Sequence, residues 1–205
     1  MGNFEVTPIT KKIVLAVEGA DEVNFFKVLL RQLGLEDLVD IKDIMGRYLY
    51  KEKIPLLVKT SGFEDVKVFA IVRDADKSAE SAFKSIANIL KKSGFNVPKK
   101  MNVFSSGSPK IGIYVMPGSG EQGMLEDLCL KTVKGNPAMK CVDNFFECIK
   151  KRKIEPKNIS KAKVQVYLAA MPEIVNCIGL GAQKKYWNFE SNELSDIKSF
   201  LNNFR

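Results

Sequence analysis

The sequence of 205 residues predicts an α/β fold: a mostly parallel sheet flanked by helices, followed by a helical C-terminal extension. Three observations carry this. The β-branched runs Ile13-Val14-Leu15-Ala16-Val17 and Val66-Lys67-Val68-Phe69-Ala70-Ile71-Val72-Arg73 are each followed by apolar residues at helical spacing, as in strands joined by helical crossovers. A later run, Ile111-Gly112-Ile113-Tyr114-Val115-Met116, repeats the arrangement. From Asn136 onward the spacing is helical. Such alternation places helices on both faces of a sheet. The expected division is an α/β domain over residues 1–135 and a helical extension over residues 136–205, packed on it as one unit.

Each element has its own signals. Val23, Phe26, Leu30 and Leu33 make the first helix, stopped by Gly34, with Asp21 placed to cap it. Leu38–Met45 reads as a short strand around Val39 and Ile41, closed by Gly46, and Lys51–Thr60 as a helix. Phe83, Ile86 and Leu90 define a helix with Ser78 as N-cap and Gly94 as stop. Val103-Phe104 forms a short strand, Ser105–Pro109 a turn, and a helix starts near Met124. In the extension, the stripes are Val142/Phe145/Phe146/Ile149, Val164/Tyr167/Leu168/Met171 and Leu194/Ile197/Leu201/Phe204, the last capped by Ser191. Val164, Val166 and Leu168 also alternate, as in a strand, so the middle segment carries both signals.

Composition bounds the chemistry. The chain contains no histidine, which removes Ser-His-Asp and Cys-His catalysis, His-based zinc hydrolases and any imidazole proton shuttle. What remains is carboxylate, Lys, Arg, Ser, Tyr or Cys chemistry, or a metal held by oxygen ligands, which favours Mg²⁺, Mn²⁺ or Ca²⁺. The four cysteines form no C-x-x-C pair and read as buried thiols of a reducing compartment. No run is long and apolar enough to span a membrane, and residues 1–6 lack the features of a secretion leader, so a cytoplasmic location without membrane contact is expected. The net charge of +8 suits a polyanion, although charge alone does not separate nucleic-acid binding from simple solubility.

The candidate site is acidic. The first strand ends in Glu18-Gly19-Ala20-Asp21-Glu22 and the later one in Asp74-Ala75-Asp76. In parallel sheets functional groups collect beyond the carboxyl ends of the strands, so these acids would converge on one crevice. Residues two apart on an extended segment point the same way, roughly 6–7 Å apart, which would bring Asp74 and Asp76 to one side with Ala75 turned away. Close carboxylates repel and are raised in pKa unless a cation joins them. Asp21 and Glu22 read instead as helix cap and first-turn charge. Glu126, or Glu121, is a further candidate, against a solvated helix face. Arg73 and Lys77 bracket the acids and could contact a phosphate, or pair with those acids. Pro117-Gly118-Ser119-Gly120 is a weak phosphate-loop signal and reads as a flexible turn; the basic run Lys150–Lys153 reads as a solvated helix end. Lys184-Lys185-Tyr186-Trp187 could stack a base, but packing of the only tryptophan on the core is the simpler reading.

The placement of Glu18 within Val17-Glu18-Gly19, Asp74-Ala75-Asp76 and Gly46 resembles the Toprim superfamily over about the first 130 residues. Gly123–Cys129 and Tyr186-Trp187 are similar to segments of small stand-alone prokaryotic Toprim-like proteins. The resemblance implies a Rossmann-like fold and a Mg²⁺- or Mn²⁺-dependent nuclease. In it Asp74 and Asp76 would hold the metal, and Glu18 would act as ligand or general acid/base. Glu126 would match the acid that OLD-type nucleases use for a second metal. A nucleic-acid substrate is the implied partner. The alternative is a non-catalytic, Mg²⁺-dependent nucleotide- or nucleic-acid-binding module that acts with a partner protein. A signalling receiver fits the acids after the first strand poorly, and a haloacid-dehalogenase phosphatase would need its D-x-D after that strand. The oligomeric state is left open.

Overall fold

Ile13–Val17 (β1) is buried at every position, which is why its sequence is continuously apolar instead of alternating. The computed structural model describes residues 7–205, so the reading of residues 1–6 lies outside the described part. After β1 come the helix Ala20–Gln32 (α1), the strand Val39–Asp43 (β2) and the helix Tyr50–Leu57 (α2). The strand Val68–Asp74 (β3), the helix Ala79–Lys92 (α3) and the strands Val103–Phe104 (β4) and Lys110–Met116 (β5) follow. The chain ends in five helices: Leu125–Thr132 (α4), Pro137–Lys151 (α5), Ile159–Ala169 (α6), Ile178–Gln183 (α7) and Ser195–Asn202 (α8).

The sheet order is β2-β1-β3-β5-β4. The first four strands are parallel and β4 pairs antiparallel at the edge. The fold is therefore α/β with a five-stranded, mostly parallel sheet flanked by helices, consistent with a Rossmann-like arrangement. Register aligns Ile13 with Val39 and Val68, and Asp74 with Met116, so β1, β3 and β5 deliver their carboxyl ends to one edge.

Alternation along the strands feeds two apolar layers. Val14, Ala16, Phe69, Ile71, Ile113 and Val115 face α2 and α3, whose Ile54, Leu57, Ile86 and Leu90 close that side. Leu15, Val17, Ala70, Val72 and Tyr114 face α1 and the C-terminal helices, with Phe25, Leu128, Val142, Tyr167, Trp187 and Leu201 in the same core. The extension thus shares its apolar core with the sheet. Each large apolar side chain buried there stabilises the fold by about 1.5–3 kcal/mol relative to exposure. Among the described residues no helix is long and apolar enough to cross a membrane.

Local signals acted as their chemistry suggests, with exceptions. Ser78 Oγ accepts from the Ser81 amide at 3.2 Å and caps α3, while Gly34 and Gly94 leave their helices at positive φ. The ambiguous 164–168 segment is helical, because Val164, Tyr167 and Leu168 share one buried face. Ser191 caps a short 3-10 turn that leads into α8. Trp187 is buried, stacks on Tyr167 at 5.3 Å and donates to the Ile178 carbonyl. Asp21 does not cap α1: the N-cap is Gly19, and the Asp21 carboxylate accepts instead from the Gly179 amide of α7 at 2.8 Å. The expectation of four buried thiols is also corrected. Cys129 is buried and Cys177 half-buried, but Cys141 and Cys148 are exposed, because α5 buries Met139, Val142 and Phe146 and turns both cysteines outward. All four are free.

Candidate functional site

Beyond the carboxyl ends of β1 and β3 lies a crevice of about 670 Å³ whose lining includes Glu18, Asp21, Glu22, Asp43, Asp74 and Glu126. Lys161 of α6 and Cys177 and Ile178 at the start of α7 complete its walls. The ends of three strands, the first turns of α1 and α4, and the tail therefore converge on a strongly acidic pocket.

Each carboxylate has a structural reason to be there. Asp74 is the last residue of β3 and only 8% exposed. Its Oδ1 accepts from the Leu125 amide at 3.1 Å, at the N-terminus of α4, where free amides favour negative charge. Burial nevertheless pushes the Asp74 carboxyl well above the usual carboxylate range, and Glu18, Glu22 and Glu126 push it the same way. Glu18 follows β1 directly, and its carbonyl accepts from the Gly46 amide at 2.7 Å, tying it to the loop after β2. Its Oε2 is buried with no hydrogen-bond partner. Burial raises the Glu18 pKa, with Asp76 adding to the effect and Arg73, Arg47 and Lys161 opposing it.

Glu22 sits in the first turn of α1 and folds back over Gly19, where an added Cβ would meet its Oε2 at 3.4 Å. Burial raises its pKa to about 7, with Glu18, Glu126 and Asp21 adding repulsion. Glu126, in the first turn of α4, is raised mainly by burial, and its carboxylate lies 3.6 Å from Lys161 Nζ. Asp43, at the end of β2, accepts from the Met45 amide at 2.6 Å. Five carboxyls of one pocket, Glu18, Glu22, Asp43, Asp74 and Glu126, are held above their ordinary range, first by burial and for most of them also by mutual repulsion, which a cation would relieve. Among the described residues, no three of these side chains are already gathered tightly enough to hold an ion as they stand.

The structure separates Asp74 from Asp76. Asp76 has left the strand: its φ is +50°, it exchanges two backbone hydrogen bonds with Gly123, and its carboxylate pairs with Arg47 at 2.9 Å. It lines a neighbouring cavity with Arg73 and Lys77. Extended periodicity stops at Asp74, so the expectation that both aspartates face one crevice fails on geometry, although Glu18 feels Asp76 from across the divide. Glu121 pairs with Lys131 on the surface, outside the lining of the crevice. Glu22, expected only as first-turn charge, joins that lining as well. Its position one helical turn beyond Glu18, at a strand-to-helix junction, is the signal that could have found it.

These features define a class: a parallel α/β protein with an acidic crevice at the carboxyl edge of its sheet. The chain belongs to the family described as protein of unknown function DUF3226, whose profile matches residues 12–205. Comparison with curated proteins and with solved structures returned no match.

Proposed function

We propose that the crevice is a divalent-metal site for phosphodiester hydrolysis on nucleic acid, in the manner of Toprim-type nucleases. The observation that carries this reading is the buried, unpartnered Oε2 of Glu18 in the same crevice as buried Asp74. An anionic oxygen without a donor and a carboxylate crowded by three others are stable together only when protonated or bound to a cation. Asp74 and Glu18 would hold Mg²⁺ or Mn²⁺, Glu22 and Glu126 of the same crevice would have to draw inward to join them, and the ion would supply phosphate polarisation and water activation. Before an ion binds, burial and the neighbouring acids raise the Glu22 carboxyl to about 7, so an entering cation would displace its proton at neutral pH. Arg73 and Lys77, in the adjoining cavity, would offset phosphate charge, and Asp76 would act through Arg47 and Glu18 instead of as a direct ligand.

Incubating the protein with single- and double-stranded DNA and RNA, with Mg²⁺ or Mn²⁺, tests the reading. Metal-dependent cleavage should fall about 100-fold or more in Asp74→Asn, the scale expected when a group that stabilises transition-state charge is removed. Equal cleavage by both proteins would sink it. A second reading, a non-catalytic module that works with a partner protein, draws support from Phe145, Ile154 and Ile159, which are exposed beside the basic end of α5. Metal-dependent oligonucleotide binding without turnover is its signature.

A further inference from the structure

The cavity next to the acidic crevice has opposite chemistry. It measures about 680 Å³, and Arg47, Arg73, Lys77, Ser78, Ser81 and Asn158 supply its polar lining. The acid in that lining, Asp76, is already paired with Arg47. Arg73 donates to Ser85 Oγ at 3.1 Å through Nη1, but its Nε is buried with no acceptor. Ser78 caps the 14-residue α3, so the start of that helix adds free amides to the cationic lining. A cavity with cations, hydroxyls and one orphaned guanidinium donor fits an anion.

The loop between β2 and α2 forms the partition. Met45 and Gly46 line the acidic crevice, and Arg47 lines the basic cavity. Tyr48 stands next to them at 81% exposure, with the Arg47 guanidinium 4.6 Å from its ring centroid. An aromatic ring this exposed, oriented by its cationic neighbour, leaves a face open for stacking. Bases in a duplex are already stacked on one another, so the available partner is an unpaired base.

We propose that the basic cavity and Tyr48 form a subsite for single-stranded nucleic acid, the cavity taking the phosphate next to the one at the crevice and Tyr48 stacking an unpaired base. The placement of the scissile phosphate rests on the metal-site reading above; the subsite itself stands on its own geometry.

The test is fluorescence anisotropy of the full chain with labelled oligothymidylate, oligouridylate and a DNA duplex, in EDTA and in Mg²⁺. Both single strands should bind more tightly than the duplex, and the two single strands distinguish DNA from RNA preference. Tyr48→Ala should weaken single-strand binding about 5-fold or more, while Tyr48→Phe, which keeps the ring, should restore it. Lys77→Ala should lower the slope of log affinity against log salt by about 0.7. Tyr48 and Lys77 are both exposed, so the fold does not depend on them. Binding read in EDTA and cleavage read in Mg²⁺ separate the two proposals: a protein that binds through Tyr48 but never cleaves keeps the subsite and loses the nuclease. Equal affinity for duplex and single strand, or unchanged binding by Tyr48→Ala, overturns the subsite.

Discussion

Replacing Glu22 by Gln should flatten the pH dependence of stability, and its size follows from the crevice. Glu22 has a pKa of about 7 in the folded chain against an ordinary 4.5, mainly because burial disfavours its charged form. A carboxyl raised on folding contributes stability that is fully present below its unfolded pKa and lost as pH rises through its folded one. A tenfold change in acidity corresponds to about 1.4 kcal/mol, so between pH 5 and pH 8 Glu22 alone should cost about 2–3 kcal/mol. Glu18 and Asp74 are raised as well and steepen the wild-type slope. The surface carboxylates Glu36 and Glu80, lowered by Arg31 and Lys84, titrate at more acidic pH and leave this window undisturbed. Urea denaturation in EDTA at pH 5 and pH 8 measures the effect. Wild type should lose roughly 1 M in midpoint on going to pH 8, at a slope of about 2 kcal/mol per molar urea, and Glu22→Gln should lose much less. Adding Mg²⁺ should stabilise wild type more at pH 8 than at pH 5, because the ion binds the ionised crevice. Parallel pH profiles for the two proteins, or wild-type stability that rises between pH 5 and pH 8, would refute the account of a repulsive, desolvated pocket.

Two further substitutions probe how the sheet presents the site. Tyr50→Phe removes a buried 2.7 Å hydrogen bond to the Val72 carbonyl, two residues before Asp74, and should cost about 1 kcal/mol in urea denaturation; no loss would mean that β3 is held without it. Gly112→Ala would place a Cβ 2.3 Å from the ring of Phe104, which stacks on Phe200 of α8. A loss of about 1–3 kcal/mol is expected, with faster amide exchange across residues 195–202, and unchanged exchange there would mean that the ring shifts without carrying α8.

What the sequence disclosed divides along physical lines. β1, β3 and β5 were legible because both faces of the sheet are covered, which forces continuous apolar runs. Glu18 and Asp74 were legible because they terminate those runs. Asp76 misled because strand periodicity was carried two residues past Asp74, into a turn set by backbone pairing with Gly123, a contact remote in sequence. Cys141 and Cys148 were misplaced because they fall off the helical face that carries Met139, Val142 and Phe146, and Phe145, expected in that stripe, lies at its margin and is exposed. The helix α7 was missed because Gly179 and Gly181 argue against helix on propensity. Both lie against close neighbours, Asn24 at 2.6 Å and Leu168 at 2.9 Å from an added Cβ, so tertiary packing uses what local preference penalises.

That packing has a consequence for biosynthesis. Glu18 and Asp21 line the crevice beside Cys177 and Ile178, and the hydrogen bond from Gly179 to Asp21 joins the two segments. The acids at residues 18–22 leave the ribosome well before the segment at residues 177–179, since 158 residues separate Asp21 from Gly179. A nascent chain without that segment lacks part of the crevice lining, and its carboxylates there stay more open to water until α7 docks.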